Sequence, residues 1–478
     1  MRDLPRAARE SIIFAFVGTL FYLCERMKRI IARILVLCAA AASLFASCKC
    51  NDPVEVEDVA CKNLLLLYTA GQNSLSNFLD QNIADIITAA QHGTGYVPVK
   101  NSEDVLLVMS HRPKFSGYYN ENTSASLLRL YLVKNFKIAG TKSRVDTVMV
   151  DTLKIYPTDF IPTKAGGLRT VLQDVDDLFH AEHYGMIFSS HGTGWVPPGY
   201  YNDPYSYDNA AKPAYPKLGA ATGSVPYVED NEFPDGPPVR SLGQTKFKEN
   251  GKTISYEFDI DGFEDEFPIH FDYIYFDACL MGGVEFAYQL RNVCDKVALS
   301  PTEVLAEGMN YYECVGQLLE GGKGDIEGTC RSYYEIYSSP GATYNAATIT
   351  LVDCTAMDDL VSVCRELFEK YRVKMSIIDH EDIQPYFRSY HHWYYDLEDI
   401  LVKCDITSEE QTRLEAALDK CIIYKQATST FLPSSGGFTI KTYSGLSMYL
   451  PCKGSAYLDE YYKTLDWNEA TSLVKDGE

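Results

Sequence analysis

The sequence predicts a three-layer α/β/α sandwich around a mostly parallel central sheet, extended at its C-terminus by a further α/β region. Two apolar runs carry this prediction, 184–190 and 271–276. Each is about one strand long and mostly apolar and aromatic, which is typical of parallel strands buried on both faces. Around them, strand-like and helix-like segments alternate, as they do in repeated βαβ units.

The other elements continue this alternation. The segment 167–180 is helical because Leu168, Val171, Leu172 and Val175 recur at helical spacing. By the same patterns we predict strands at 64–68, 104–110, 127–134, 147–154, 296–300, 346–353 and within 436–450, and helices at 73–90, 280–292, 308–321, 356–371 and 408–422. Residues 196–255 are rich in Pro, Gly, Tyr and Asp, which predicts a long insertion.

The N-terminus has the pattern of a targeting segment. A basic start at Met27-Lys28-Arg29, an apolar middle and small residues before Cys48 describe a signal peptide over 27–47. Cys48 is then the lipidated first residue, as in bacterial lipoproteins. We expect residues 1–26 to lie upstream of the true start and residues 48–60 to form a tether. The alternative is one membrane anchor over 12–47. Both predict a mature chain at the cell envelope, or secreted.

Charge and cysteine content limit the function classes. The formal net charge is −22, although the first 48 residues are themselves basic. This charge argues against nucleic acid or an anionic membrane surface as the main partner, and it suits a cationic substrate, or solubility alone. The 14 cysteines lack CxxC pairs, so neither a disulfide scaffold nor a zinc site is predicted. We expect a monomer with buried cysteines and no metal site.

Each of the two apolar runs ends in a reactive side chain. His191-Gly192 follows the first run, and Asp277-Ala278-Cys279 follows the second. The carboxyl ends of parallel strands share one edge of a sheet, where ligands bind. A histidine and a cysteine at that edge are what a cysteine nucleophile and its base require. A helix beginning after Cys279 would also stabilise its thiolate. The sequence therefore predicts a cysteine peptidase.

Other histidines and another cysteine compete with this assignment. The segment 91–98 nearly duplicates 190–197, but His92 follows a helical pattern, so Gly93 is predicted to be a helix C-cap. His111 follows a strand and is interpreted as a sheet-end histidine that borders the cleft or packs beside it. His391 and His392 lie in an aromatic run and are assigned to packing. Cys354 precedes Thr355 and Asp358, which form a predicted helix capping box.

Several blocks, taken in order, resemble the clostripain family of cysteine peptidases, relatives of caspases, gingipains and legumain. They are 65–70 with 73–75, 191–192, 277–279, 395–397 and 445–451. The resemblance implies a caspase-like catalytic domain over 61–340, with 341–478 as the C-terminal α/β region. It covers roughly residues 62–455.

The resemblance also implies residue roles. Cys279 would be the nucleophile and His191 the general base and then acid, with no third member identified. The backbone N–H groups of Gly192 and Cys279 would form the oxyanion hole. Asp277 would hold a basic P1 side chain, which implies protein or peptide substrates cleaved after Arg or Lys, Arg favoured. Its alternative role is to cap the next helix. Glu303 or Glu307 is a further candidate for lining this pocket.

Two further family traits are carried over as expectations. Members of the family tend to cleave their own chain between the catalytic His and Cys, at a basic residue. The insertion offers six such residues: Lys212, Lys217, Arg240, Lys246, Lys248 and Lys252. No cofactor is required, but some relatives need calcium. The acidic segment 259–266 is either a calcium site or a solvated loop.

Two other functions remain open from the sequence. One is a non-catalytic envelope binding protein that keeps the fold, for which the acidic insertion and 35 tyrosines would suit a recognition surface. The other is a peptide ligase or transpeptidase, which uses the same residues and differs in excluding water from the acyl-enzyme.

Overall fold

The computed structural model describes residues 59–111, 124–201, 203–209, 245–249, 252–320, 324–388 and 392–475. All of these fall within one compact unit. The predicted signal segment, Cys48, most of the tether and the insertion residues Lys212, Lys217 and Arg240 lie outside the described residues. In the part of the chain that the structure describes, no helix is long and apolar enough to cross a bilayer.

Fifteen strands are present among the described residues. In chain order they are β1 Val59–Thr69, β2 Asp104–Ser110, β3 Ser126–Lys137, β4 Arg144–Ile155, β5 Phe179–Ser189, β6 Thr245–Glu249, β7 Lys252–Tyr256, β8 Phe271–Asp277, β9 Cys294–Leu299, β10 Thr348–Asp353, β11 Tyr395–Asp396, β12 Ile422–Ala427, β13 Thr430–Phe431, β14 Phe438–Thr439 and β15 Ser447–Met448. Nine of them form one sheet in the order β12-β10-β9-β8-β5-β1-β2-β3-β4, and the other six form three two-stranded sheets.

The nine-stranded sheet is parallel at its centre and antiparallel at both edges. The five central strands β9, β8, β5, β1 and β2 run parallel. The pairs β2–β3 and β3–β4 at one edge, and β9–β10 and β10–β12 at the other, are antiparallel. The predicted α/β class is confirmed, but the description "mostly parallel" holds for the centre alone, because half of the eight pairings are antiparallel.

Helices connect and cover these strands. They are α1 Ser76–His92, α2 Gly167–Leu178, α3 Pro204–Asp208, α4 Val284–Gln289, α5 Cys314–Leu319, α6 Ile326–Ser338, α7 Asp358–Ile377, α8 Leu397–Lys403, α9 Ser408–Cys421, α10 Ala456–Tyr462 and α11 Asp466–Thr471. Short 3₁₀ turns occur at Phe263–Glu266, Cys354–Ala356, His380–Asp382, Pro433–Ser435 and Pro451–Lys453.

The central strands carry the core. Leu64–Leu67 of β1, Val105–Met109 of β2 and Met186–Phe188 of β5 are almost fully buried. Strands that are apolar on both faces are stable only between two covering layers. The strands formed by these runs therefore occupy the middle of the sheet. Tyr68 stacks on Phe188 at a centroid distance of 5.4 Å, which joins β1 to β5 near the carboxyl ends of both strands.

The region after residue 340 shares the main sheet. Its strands β10 and β12 extend the sheet beyond β9, with Thr350 paired to Leu299. The predicted strands within 436–450 are only the two-residue strands β14 and β15. The domain limits assigned from the sequence stay a prediction, but the catalytic and C-terminal parts of the chain are joined by backbone hydrogen bonds.

Candidate active site

The two predicted reactive residues follow neighbouring parallel strands. In the pairing of β5 with β8, Ser189 lies opposite Asp277, and His191 and Cys279 each come two residues later. Both side chains are buried, with residue exposures of 3% and 1%. The structure therefore places them at the same edge of the sheet, where the sequence predicted a shared crevice.

Gly192 brings the two strand ends into backbone contact. A Cβ atom at this position would lie 2.1 Å from the carbonyl oxygen and 2.9 Å from the amide nitrogen of Cys279. No real side chain tolerates such a separation from backbone, so only glycine permits the approach. The glycine after His191 is therefore a requirement of the site's geometry.

The Cys279 sulfur is held by the backbone of Val304. The Val304 N–H donates to Sγ at 3.1 Å, and Sγ lies 3.5 Å from the Val304 carbonyl oxygen. A hydrogen bond donated to sulfur favours the thiolate over the thiol. The sequence attributed this effect to a helix beginning after Cys279, which is wrong in detail. Helix α4 starts only at Val284 and has six residues, and the intervening turn contains Leu280 with a φ of 59°.

His191 is positioned by contacts on both sides of its loop. Its Nε2 lies 3.0 Å from the Ser74 hydroxyl oxygen, in the loop before α1. The neighbouring Ser190 hydroxyl donates to the Ala70 carbonyl at 2.7 Å, and Tyr394 donates to the Thr193 carbonyl at 2.6 Å. Sequence reasoning did not find Ser74 as a partner. The sequence signal for Ser74 was its place in the block 73–75, which resembles a block of the clostripain family.

Two buried carboxylates lie close to Cys279 in the chain or in contact with its neighbours. Asp277 accepts hydrogen bonds from the hydroxyls of Tyr311 and, at 3.3 Å, Ser189. Glu303, next to the Val304 that contacts Cys279, forms an ion pair with Arg388. Glu307, the third acidic residue considered from the sequence, is exposed. Asp277 and Glu303 are therefore both near Cys279 and both already engaged by the protein's own side chains.

The Arg388–Glu303 ion pair is bidentate and almost fully removed from water. Arg388 Nε donates to Glu303 Oε2, and Nη2 donates to Oε1 at 2.6 Å. Nη1 donates to the Ser435 carbonyl at 2.9 Å. Burial lowers the pKa of Arg388, but the hydrogen bonds to Glu303, the charge of Glu303 and smaller electrostatic contributions from neighbouring groups together hold that pKa above its ordinary value. No sequence pattern indicated this pair, because its members are 85 residues apart.

A further buried carboxylate fixes the turn after Cys279 to the C-terminal part of the chain. Glu285, in α4, accepts from the Tyr449 N–H at 2.9 Å and from the Tyr462 hydroxyl at 2.8 Å. Burial raises the pKa of Glu285 to about 7. The Trp195 indole of the His191 loop donates to the Trp393 carbonyl and packs on Tyr449. The sheet edge that carries His191 and Cys279 is therefore contacted by residues from beyond position 340.

The competing residues have structural roles. His92 ends α1 and is followed by Gly93 in the left-handed C-cap conformation, as predicted. His111, at the end of β2, is fully buried against Ser76 at 3.1 Å. His392 packs on Phe387, and His391 lies outside the described residues. The nine cysteines whose side chains are described, Cys279 among them, are buried thiols, which agrees with the expected role of the others.

The predicted capping box after Cys354 is wrong. Asp353 instead accepts from the Thr355 N–H, because a 3₁₀ turn precedes α7 and moves the cap upstream. Cys354 is buried, with its Sγ 3.8 Å from that of Cys294.

The acidic segment 259–266 is structural, not a solvated loop. Glu266 accepts from the Gly166 N–H at 2.6 Å and the Arg169 N–H at 3.0 Å, so it caps the start of α2. Asp259 is bonded to Tyr461, and burial raises the pKa of Asp259 to about 6. Among residues 59–475 as far as the structure describes them, no cluster of His, Cys, Asp or Glu could hold a metal ion.

Solved structures share this fold. The chain resembles an inactive zymogen C11 protease from Parabacteroides distasonis, with a TM-score of 0.64, 23% identity and coverage of 87% of this chain and 99% of that one. It also resembles a secreted C11 cysteine protease from Bacteroides thetaiotaomicron, "iotapain", with a TM-score of 0.63, 23% identity and coverage of 86% and 99%. It resembles a secreted C11 cysteine protease from the same organism in complex with an irreversible peptide inhibitor, with a TM-score of 0.61, 22% identity and coverage of 86% of this chain and 98% of that one. At these identities the likeness shows the fold alone.

Sequence comparison adds a match to a family model over the C-terminal part of the chain. No curated protein matches the chain. The model of the clostripain family matches residues 264–476, a span that contains Cys279, Glu285, Glu303 and Arg388 but begins after His191. The resemblance predicted from the sequence is thereby confirmed: residues 264–476 match the clostripain family of cysteine peptidases, and the solved structures that share the fold are C11 proteases.

Proposed function

We propose that the protein is an extracytoplasmic cysteine endopeptidase that cleaves after Arg or Lys, with Cys279 as nucleophile and His191 as general base. The observation that carries the proposal is the pairing of Ser189 with Asp277, which brings His191 and Cys279 to one edge two residues later. Gly192 lies against the backbone of Cys279 there. This is the arrangement that nucleophilic catalysis by cysteine needs.

In this mechanism the Cys279 sulfur attacks the scissile carbonyl carbon while its proton passes to His191. The C–N bond then breaks as His191 gives that proton to the leaving amine. Water attacks the resulting thioester, His191 takes a proton from it, and the acid product leaves as the thiol re-forms. The N–H groups of Gly192 and Cys279 are the proposed donors to the oxyanion, a contribution of about 3 kcal/mol for one such donor.

The proposed preference for Arg or Lys rests on charge. Asp277 and Glu303 are buried carboxylates beside the nucleophile, and a buried carboxylate favours a cationic partner over an apolar one. The chain's own Arg388 meets Glu303 with two parallel hydrogen bonds, so a guanidinium is sterically compatible with this position. A net charge of −22 would also attract cationic segments of substrates.

The location and self-processing are proposed from the sequence and from relatives. The signal-like segment 27–47 with Cys48 supports export and lipid anchoring. One structural relative is described as secreted, and one is complexed with a peptide inhibitor. Self-cleavage between His191 and Cys279 would occur at a basic residue of the insertion, which contains six.

A second candidate is the non-catalytic binding protein. What favours it is the closed state of the site: Cys279 is buried, and the two candidate pocket acids are engaged by Tyr311 and Arg388. A protein of this kind would keep the fold and bind peptides without turnover.

The deciding experiment compares the purified protein with its Cys279→Ala variant on fluorogenic peptides that carry Arg, Lys, Asp or Leu at P1, with and without calcium. Cys354→Ala is the matched control, since it removes another buried cysteine that follows a strand of the same sheet. We expect turnover of Arg and Lys peptides that is lost only in Cys279→Ala. A folded protein that turns over no peptide under either condition would refute the peptidase and favour the binding role.

A further inference from the structure

The buried ion pair between Arg388 and Glu303 has no place in the mechanism above, yet it lies beside the nucleophile. Its carboxylate belongs to the residue before Val304, and both backbone polar atoms of Val304 contact the Cys279 sulfur. On the other side, the Thr302 carbonyl accepts from the Leu280 N–H at 2.8 Å. Glu303 therefore lies between Thr302 and Val304, whose backbones contact Leu280 and Cys279 respectively.

The pair joins two distant parts of the chain. Arg388 belongs to the region after residue 340, whereas Glu303 follows β9 in the central sheet. The Arg388 side chain is 2% exposed and that of Glu303 is 9% exposed. Such a pair is costly to bury and adds little net stability compared with apolar side chains of similar size. The contact therefore calls for an explanation other than stability.

The contact has the chemistry of substrate recognition. Two parallel N–H···O bonds from a guanidinium to a carboxylate are the way in which an enzyme would hold a P1 arginine. The third guanidinium nitrogen is satisfied by the Ser435 carbonyl. One of the two buried carboxylates proposed to receive a basic side chain from a substrate on Cys279 is thus already bound to a guanidinium.

We propose that Arg388 is an internal competitor for the P1 pocket: it occupies Glu303 in place of the substrate's basic side chain and must leave before an Arg or Lys substrate binds productively. This inference rests on the proposed function, because it takes Cys279 as the nucleophile. It makes Arg388 a determinant of specificity, since it disfavours substrates that need Glu303 and leaves substrates without a P1 cation unaffected.

The first test measures turnover with peptides carrying arginine or its neutral isostere citrulline at P1. For Arg388→Ala we expect KM for the arginine peptide to fall roughly tenfold or more, because the substrate then supplies the partner that Glu303 has lost. KM for the citrulline peptide should not fall. Arg388→Lys, which keeps a cation, should give a smaller fall. Arg291→Ala, which breaks the Arg291–Asp466 ion pair elsewhere in the protein, should change neither value.

The second test needs no turnover. In a Cys279→Ala background, 1-butylguanidinium should raise the melting temperature of the Arg388→Ala variant in a dose-dependent way and leave the variant that retains Arg388 unchanged. The neutral N-butylurea should affect neither, and adding Glu303→Gln should abolish the effect.

The outcomes distinguish a failure of this proposal from a failure of the peptidase function. Equal losses of activity on arginine and citrulline peptides, with no stabilisation by butylguanidinium, would show that the ion pair is purely structural and would overturn the proposal. If no variant turns over any peptide, the peptidase function fails, but the binding of butylguanidinium still decides whether Arg388 occupies a guanidinium site. If Arg388→Ala does not fold, Arg388→Lys decides through the ratio of the two KM values.

Discussion

The site depends on one glycine that other residues cannot replace, and a near-duplicate of its motif supplies a control. A Cβ atom at Gly192 would lie 2.1 Å from the Cys279 carbonyl oxygen, whereas a Cβ atom at Gly93, in His92-Gly93, would meet open space. Gly93 has a φ of 72°, so its substitution costs conformational strain alone.

We predict that Gly192→Ala destabilises the protein by about 2 kcal/mol through overpacking and lowers kcat/KM by about 100-fold, because it displaces the nucleophile from its base. Gly93→Ala should cost about 1 kcal/mol of stability and leave kcat/KM nearly unchanged. Urea unfolding and peptide turnover measure both. Equal activity in the two variants would contradict the role assigned to Gly192.

Ser74 is predicted to position His191. Ser74→Ala removes the hydroxyl that lies 3.0 Å from His191 Nε2, so we expect kcat/KM to fall about tenfold and the acid limb of its pH profile to move. Ser74 is exposed, so the melting temperature should change little. The matched control is Ser76→Ala, which removes the hydroxyl that contacts the buried His111. It should lower stability by about 1 kcal/mol and leave the pH profile in place.

At the scale of elements, α4 is linked to the C-terminal part of the chain through the buried Glu285 carboxylate, which accepts from Tyr449 and from Tyr462 of α10. Because burial raises the pKa of Glu285 to about 7, the folded state binds its proton more tightly than the unfolded state does. Between the unfolded pKa, about 4.3, and 7, the folded protein carries more protons, so this group makes stability fall as pH rises. Asp259, with its pKa raised to about 6, acts in the same direction.

Glu285→Gln keeps an acceptor for the Tyr449 N–H and the Tyr462 hydroxyl and removes the charge. In the unmutated protein, Glu285 should make the free energy of unfolding fall by up to about 1.4 kcal/mol for each pH unit between about 5 and 7. We predict that this fall is absent in the variant. The free energy of unfolding in urea, measured at three pH values across this range, checks this. An unchanged slope would mean that Glu285 is already ionised over this range in the folded protein.

The elements that could be predicted are those whose burial is evident from a short run of consecutive residues. The runs in β1, β2, β5 and β8 are apolar on both faces, which identifies central strands without any knowledge of the partners. In contrast, Ile422–Ala427 mixes apolar with charged and polar residues at the sheet's edge, and its place beside β10 depends on a tertiary contact. Strand β12 was missed for this reason, and the antiparallel direction of the predicted edge strands β3, β4 and β10 likewise depends on tertiary pairing.

The same distinction applies to the site. His191 and Cys279 could be found because each follows a recognisable strand. Ser74 and Arg388 could not, because they reach their partners from 117 and 85 residues away, and no short-range pattern marks such pairs. The roles of all four residues stay predictions until the variants are measured.

At the scale of the whole molecule, the region after residue 340 is predicted to be required for folding. Without it β9 would lose its pairing with β10, and an unpaired strand edge promotes aggregation. The contacts of Trp195 with Trp393 and of Tyr394 with Thr193 would also be lost. We expect a chain ending at Pro340 to be insoluble or to lack cooperative thermal unfolding. A soluble monomer with a sharp transition would show that residues up to 340 fold independently.

The pairing of β5 with β8 has a consequence for the integrity of the chain. Five consecutive residue pairs, from Gly185–Tyr273 to Ser189–Asp277, join the segment that carries His191 to the one that carries Cys279. The covalent connection between them runs through the insertion, whose described strands β6 and β7 pair only with each other. A protease nick in 210–244 should therefore yield two polypeptides that separate in denaturing gels but elute together in gel filtration, as a heterodimer built from one gene product.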